Sequence, residues 1–227
     1  KKLYGTEYII AKVNGTKSSK YNADLIAHQL DREVKKSPKK KFWIVAFSKG
    51  GVDSLYFLKN HPEFAQKHLV GLSTIATPIL GSAHPNKKFM QLLRKLEKTQ
   101  LMKKLANYEI DLLLKEMQES LNDENRRTWF YRNYKLLPSN IFYSSTALIS
   151  EWYESHVWMI LAKLFLRSQG KNDGVVDIEN AHFPDFFKAL NFGFLRGHHL
   201  VGARSSFYSQ EALLEAHIIF LRFKGLL

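Results

Sequence analysis

A chain of 227 residues, 45% of them hydrophobic, is long enough to bury one sizeable core and ordinary enough in composition to be globular. It contains no cysteine, which excludes disulfides, thiolate metal sites and a cysteine nucleophile, and no apolar run near the roughly 20 residues that span a bilayer. The net charge of +13 suits an anionic membrane or lipid surface as a partner. Nucleic acid is not expected: Lys35, Lys36, Lys39, Lys40 and Lys41 cluster around Pro38, the other lysines are dispersed, and no recognition-helix, zinc-finger or single-strand-binding signature accompanies them.

Residues 8–13, rich in β-branched and aromatic side chains, predict a strand stopped by Asn14-Gly15. Over 21–34, Leu25, Ile26, Leu30 and Val34 fall along one side, which predicts a helix. Residues 42–47 have the pattern of a buried strand. They run through Ala46-Phe47-Ser48-Lys49-Gly50 into a segment of helical character from Val52 to Leu58. Small residues on both flanks let neighbouring elements approach a serine on a sharp strand-to-helix turn, and Gly50 is expected to tolerate the strained backbone there. Such a turn lifts the Ser48 hydroxyl above the sheet edge, at a helix N-terminus whose N–H groups favour negative charge. That is the geometry of a nucleophile elbow.

Residues 68–75 predict the next strand, ending at Ala76-Thr77-Pro78. The stretch 81–138 breaks the rhythm. Phe89, Leu92, Leu93 and Leu96, and then Ile110, Leu113, Leu114, Met117 and Leu121, recur at helical spacing with no strand between them. It predicts a helical cap or lid over about 83–137, whose downward face would line an apolar acyl pocket. Strands are expected again at 140–145 and 189–195, and an amphipathic helix at 211–223 with Leu213, Leu214, His217, Ile218 and Leu221 on one side. Strands alternating with helices predict an α/β fold with a largely parallel sheet.

A serine nucleophile needs a base to take its proton, and the base needs an acid to orient it. Asp173 lies in the loop Lys171-Asn172-Asp173-Gly174-Val175-Val176, and His198 and His199 follow directly on the last strand. Nucleophile, acid and base then occur in the chain order Ser48, Asp173, His199. No histidine pair has the His-Glu-x-x-His spacing, so neither a catalytic metal nor a cofactor is expected; a structural calcium on scattered carboxylates is left open.

Four blocks together resemble the α/β-hydrolase superfamily of the lipase/esterase type. Ala46-Phe-Ser-Lys-Gly-Gly51 is similar to the lipase elbow, usually Gly-His-Ser-x-Gly-Gly, and Thr77-Pro-Ile-Leu-Gly-Ser82 to a Thr-Pro-His-x-Gly-Ser segment. Asn172-Asp-Gly-Val-Val176 resembles the loop bearing the acid, and His198-His-Leu200 an Asp-His-Leu base loop. Phe47 stands where His is common, and Ile79 where the Thr-Pro block usually has His. The resemblance runs from about residue 8 to the end, apart from the helical insertion.

It implies a single α/β-hydrolase domain over 1–227, a mostly parallel sheet flanked by helices, and hydrolysis of carboxylic esters, lipid esters among them, through an acyl-enzyme. By position, Ser48 is the nucleophile, Asp173 the acid and His199 the base, with the backbone N–H of Lys49 in the oxyanion hole. His198 is the rival base, standing where lipases often carry Asp. Asp177, Glu179 and Asp185 are rival acids outside the Asp-Gly-apolar-apolar setting. Acyltransferase, thioesterase and amidase chemistry share the scaffold, and a catalytically silent lipid-binding protein is the other class.

The second oxyanion donor in this fold comes from a loop after an earlier strand. Asn14-Gly15-Thr16 is the available substitute, but its interval to Ser48 is too short for the helix, strand and helix that normally intervene. Residues 8–13 are therefore read as the strand directly before the elbow strand, and the chain as an N-terminally truncated hydrolase whose first strands are missing. Compartment and oligomeric state are left open.

Overall fold

The computed structural model of the chain describes residues 2–3, 6–82, 121–154, 170–199 and 210–226. Two short strands, β1 (Lys2–Leu3) and β2 (Thr6–Glu7), pair antiparallel at the start. Residues 8–13 correct an expectation: among the described residues they join no sheet. They run as open chain beside α1 (Ser19–Lys36), with Ile10 76% exposed. A strand-like side-chain pattern makes a strand only when a neighbour takes its backbone groups. Here a side chain does so at one point: Gln29 accepts from the Lys12 N–H at 2.8 Å and donates to the Lys12 carbonyl at 2.9 Å.

Ser18 caps α1 by accepting from the Tyr21 N–H at 3.2 Å, and Lys35 and Lys36 stand at its negative end. The chain continues through β3 (Phe42–Phe47), α2 (Lys49–Asn60), α3 (Pro62–His68) and β4 (Leu69–Ile75). The short α3 has no apolar periodicity to announce it; its local signals are Pro62 at the start, Glu63 in the first turn and Lys67 and His68 in the last. After α4 (Asp123–Asn133) come β5 (Phe142–Ile149), α5 (Ile178–Ala181), β6 (Leu190–Arg196) and α6 (Gln210–Phe223).

Strands β3, β4, β5 and β6 form one parallel sheet in that order. A parallel sheet needs cover on both faces. On one face, Ala23, Ile26 and Leu30 of α1 and Leu55, Phe57 and Leu58 of α2 share a core with Phe42, Ala46, Leu69, Leu72 and Tyr143. Alternate strand residues point the other way. There Trp43 meets His217 of α6, and the Phe220 ring of α6 lies edge-on to Phe192 and tilted against Phe142.

Of the expected cap, residues 83–120 lie outside the described residues. Its last part forms α4, whose Phe130 is fully buried in the main core against Phe183 and Phe187. Arg126 of α4 is buried too. Its guanidinium lies 4.5 Å from the Trp129 ring centre and donates to the Ile79 carbonyl at 3.1 Å, and burial pushes its pKa down to about 10.

Because the four strands are parallel, their C-terminal ends emerge at one edge. Phe47 leads into Ser48, Ile75 into the Ala76-Thr77 turn, Ile149 into Ser150, and Arg196 into Gly197-His198-His199. Ser48 and His199 both emerge on that edge.

Candidate active site

Ser48 joins β3 to α2 with φ 51° and ψ −129°, a backbone region that a residue with a Cβ adopts at a cost of about 1–3 kcal/mol. Neighbours hold the strain in place: the Ser48 N–H donates to the Ile75 carbonyl at 2.9 Å, and the Gly51 N–H donates to the Ser48 carbonyl at 3.0 Å. Gly50 was expected to absorb the strained geometry, and it does not. Its φ is negative, and a Cβ placed on it would meet open space. The demanding glycine is Gly51, where a Cβ would run into the fully buried Thr77 side chain. This close approach seats the elbow helix against the turn after β4.

The acid loop is built from its own side chains. Asn172 accepts from the Gly174 N–H at 3.0 Å, and Asp173 Oδ1 accepts from the Val175 and Val176 N–H groups, each at 2.8 Å. Gly174, at φ 98°, makes this turn possible. The loop is anchored to the sheet edge by the Ser150 N–H on the Asn172 carbonyl at 3.1 Å. Asp173 is left with Oδ2 facing His199.

His199 arrives from β6 by a short turn: the Gly197 N–H donates to Ile149 and the His199 N–H to the Asp173 carbonyl, at 2.7 and 2.9 Å. Its Nδ1 lies 2.7 Å from Asp173 Oδ2 and its Nε2 lies 2.6 Å from Ser48 Oγ. The Asp173 side chain is 1% exposed and that of His199 10%. A carboxylate can only accept, so Nδ1 carries the hydrogen and Nε2 is free to receive the serine proton. The Phe47 ring, centred 5.4 Å from the imidazole, covers one side of it.

The rival residues stand elsewhere. His198 is buried next to His199, and it is His199 that meets both Ser48 and Asp173. Asp177 caps α5, accepting from the Asn180 N–H and side-chain amide at 2.8 Å each; burial raises its pKa. Glu179 and Asp185 are exposed. Lys49 opens α2, in the first turn where N–H groups lack intrahelical acceptors.

A second serine–histidine pair escaped the sequence reading. Ser145 Oγ is 2.7 Å from His182 Nδ1 and 2.6 Å from Asn191 Oδ1. The Asn191 amide is oriented by its own bond to the Phe183 carbonyl, so Ser145 gives its hydrogen to Asn191 and receives one from His182. With its hydroxyl wholly buried and committed as donor, Ser145 braces β5 against β6 and offers no nucleophile. A cavity of about 930 Å³ lined by Lys41, Leu69, Phe142 and Leu190 lies at the starts of the strands, the edge opposite Ser48.

No protein-family model matches the sequence, and no curated protein matches it. Among solved structures, the metagenomic carboxyl esterase MGS0156 superposes with a TM-score of 0.72 over 94% of the chain, at 23% identity. The chain has the α/β-hydrolase fold. The mature form of Bacillus licheniformis lipase BlEst2 is similar over 81% of the chain with a TM-score of 0.58 and 23% identity. Lipase 1 from Pelosinus fermentans is similar over 80% with a TM-score of 0.56 and 14% identity. The chain spans 65% of the esterase's length, 68% of the Bacillus lipase's and 71% of the Pelosinus lipase's. In this chain, the strand-to-helix turn at Ser48 sits at the C-terminal edge of the sheet, where ligands bind in open α/β sheets.

Proposed function

We propose that the chain is a carboxylic ester hydrolase in which Ser48, His199 and Asp173 act as a triad through an acyl-enzyme intermediate. One observation carries the reading: Ser48 Oγ, His199 Nε2, His199 Nδ1 and Asp173 Oδ2 form a continuous line with gaps of 2.6 and 2.7 Å, ending on a serine with φ 51°. As Ser48 Oγ attacks the ester carbonyl, its proton passes to His199 Nε2, and Asp173 steadies the imidazolium that forms. The tetrahedral oxyanion is held by the Lys49 N–H at the start of α2. His199 then protonates the departing alcohol, and a water activated by the same imidazole releases the acid and restores Ser48. Structural neighbours named as lipases and a carboxyl esterase favour esters as the substrate class, lipid esters included.

The test is covalent and kinetic together. A fluorophosphonate probe is expected to label Ser48, and Ser48→Ala is expected to abolish both labelling and hydrolysis of p-nitrophenyl butyrate. A wild-type chain that the probe leaves untouched is a hydrolase-fold binding protein instead. Hydrolysis that survives in Ser48→Ala overturns the assignment of the nucleophile.

A further inference from the structure

Asp53 lies one turn into the elbow helix and is 1% exposed. One carboxylate oxygen accepts from Lys49 Nζ at 2.9 Å, the other from Asn22 Nδ2 at 2.8 Å. Asn22, on α1 and fully buried, also donates to the Asn14 carbonyl at 2.8 Å and accepts from the Asn14 N–H at 3.0 Å. Its amide thereby pairs with the Asn14 peptide as a neighbouring strand would. Asn14 in turn closes a tight loop, its Oδ1 accepting from the Thr16 N–H at 2.9 Å and the Thr16 hydroxyl at 2.8 Å. A single chain of hydrogen bonds therefore runs from the 14–16 loop through Asn22 and Asp53 to the residue that follows Ser48.

Such a chain is a poor way to gain stability. An exposed i,i+4 pair contributes about 0.3–0.5 kcal/mol, and a buried pair must first recover the desolvation of both charges. Apolar residues would fill a first helical turn packed on α1 at no such cost. A buried carboxylate with two directional partners instead selects one register between two helices and a loop. The register matters here because Lys49 carries the oxyanion N–H, and a displacement of about 1 Å in a reacting geometry can cost about 10²-fold in rate.

We infer that Asp53 is a positioning residue of the oxyanion hole, holding Lys49 and the 14–16 loop in one arrangement through Lys49 Nζ and Asn22. The inference rests on the ester-hydrolase reading. Asp53→Asn keeps the shape and removes the charge; Lys49→Met removes the ammonium while leaving the peptide N–H; Lys49→Arg restores a cation. Each protein is titrated with fluorophosphonate, so that turnover of p-nitrophenyl butyrate is expressed per reactive Ser48.

Asp53→Asn and Lys49→Met are expected to lower kcat per titrated site about 10- to 10²-fold, short of the roughly 10²–10³-fold of a lost donor, with KM within about 3-fold. Inhibition by butylboronic acid, which forms a tetrahedral anion on the serine, is expected to weaken by the same factor as kcat/KM, and Lys49→Arg to recover most of the loss. Variants with unchanged kcat per titrated site, showing only fewer sites or a lower Tm, overturn the positioning role and leave the pair as scaffold. Lys49 is partly exposed, so its variants report even where Asp53→Asn does not fold. A wild-type chain unlabelled at Ser48 overturns the hydrolase reading itself, which separates the two failures.

Discussion

Gly50 and Gly51 stand side by side in the elbow motif, and alanine should have opposite effects at the two. At Gly51 a new methyl would overlap the Thr77 side chain, which is β-branched, fully buried and set on a backbone following Ala76 at φ 48°. Neither partner can swing aside, so the overlap is resolved by shifting α2 against the turn after β4. With three Thr77 atoms inside the new methyl's contact distance, the overpacking lies in the upper part of its usual range, about 2–3 kcal/mol, offset by about 1 kcal/mol from replacing a helical glycine. The net loss is about 1–2 kcal/mol, a fall of about 2–8 °C in Tm for a domain of this size. At Gly50 the space around a Cβ is open, and Gly50→Ala should gain about 0.5–1 kcal/mol and raise Tm by about 1–4 °C.

Thermal melts followed by circular dichroism measure both shifts. In a double-mutant cycle, Thr77→Ala should be markedly less harmful in the Gly51→Ala background than in the wild type, because it removes the atoms that clash. Gly51→Ala with an unchanged Tm, or a cycle with no coupling between positions 51 and 77, would refute the close approach as the reason for glycine.

His199→Ala should lower kcat/KM on p-nitrophenyl butyrate by about 10⁴-fold and His198→Ala far less; the reverse ranking in steady-state kinetics would reassign the base. Burial holds the pKa of His182 and of His217 below the ordinary histidine value of 6.5. The unfolded chain then binds the extra protons, so stability is fully present above pH 6.5 and is lost as pH falls through the depressed folded values. Tm should fall between pH 7.5 and 5.5, and a His182→Asn, His217→Leu double variant should flatten that slope; an equal slope in the variant would remove these histidines from the account. With a net charge of +13, the chain should hydrolyse ester lipids faster in anionic than in neutral vesicles at low salt, and the advantage should shrink as salt rises. Equal rates on both vesicle types would count against lipid-surface attraction.

Much of this organisation is local and could be read directly. The apolar spacing of α1 and α6, the run from β3 into α2 and the Asp-Gly-Val-Val turn are each written in fewer than 20 consecutive residues. Boundaries moved where packing extends an element: β5 was expected at 140–145 and runs Phe142–Ile149, because its later residues pair with β6. Ser48 and His199 could be nominated because each follows a strand end, and Asp173 because it lies in the segment connecting two strands, in a parallel order that brings distant residues to one edge. Residues 8–13 had every local sign of a strand and lacked the one thing no local pattern contains, a neighbour.

Chain order, patterning and residue chemistry were thus sufficient for the α/β class, the elbow and a short set of candidate acids and bases. Tertiary structure alone decided matters that depend on which atoms lie opposite each other. It set His199 rather than His198 between Ser48 and Asp173, made Gly51 the crowded glycine, and gave the Ser145 hydrogen to Asn191. It also buried Asp53, which at i+4 from Lys49 would pass in the sequence for half of an exposed helix pair. Periodicity specifies which face of an element is apolar; hydrogen-bond partners and desolvation are set only when another element, often more than a hundred residues away, closes over that face.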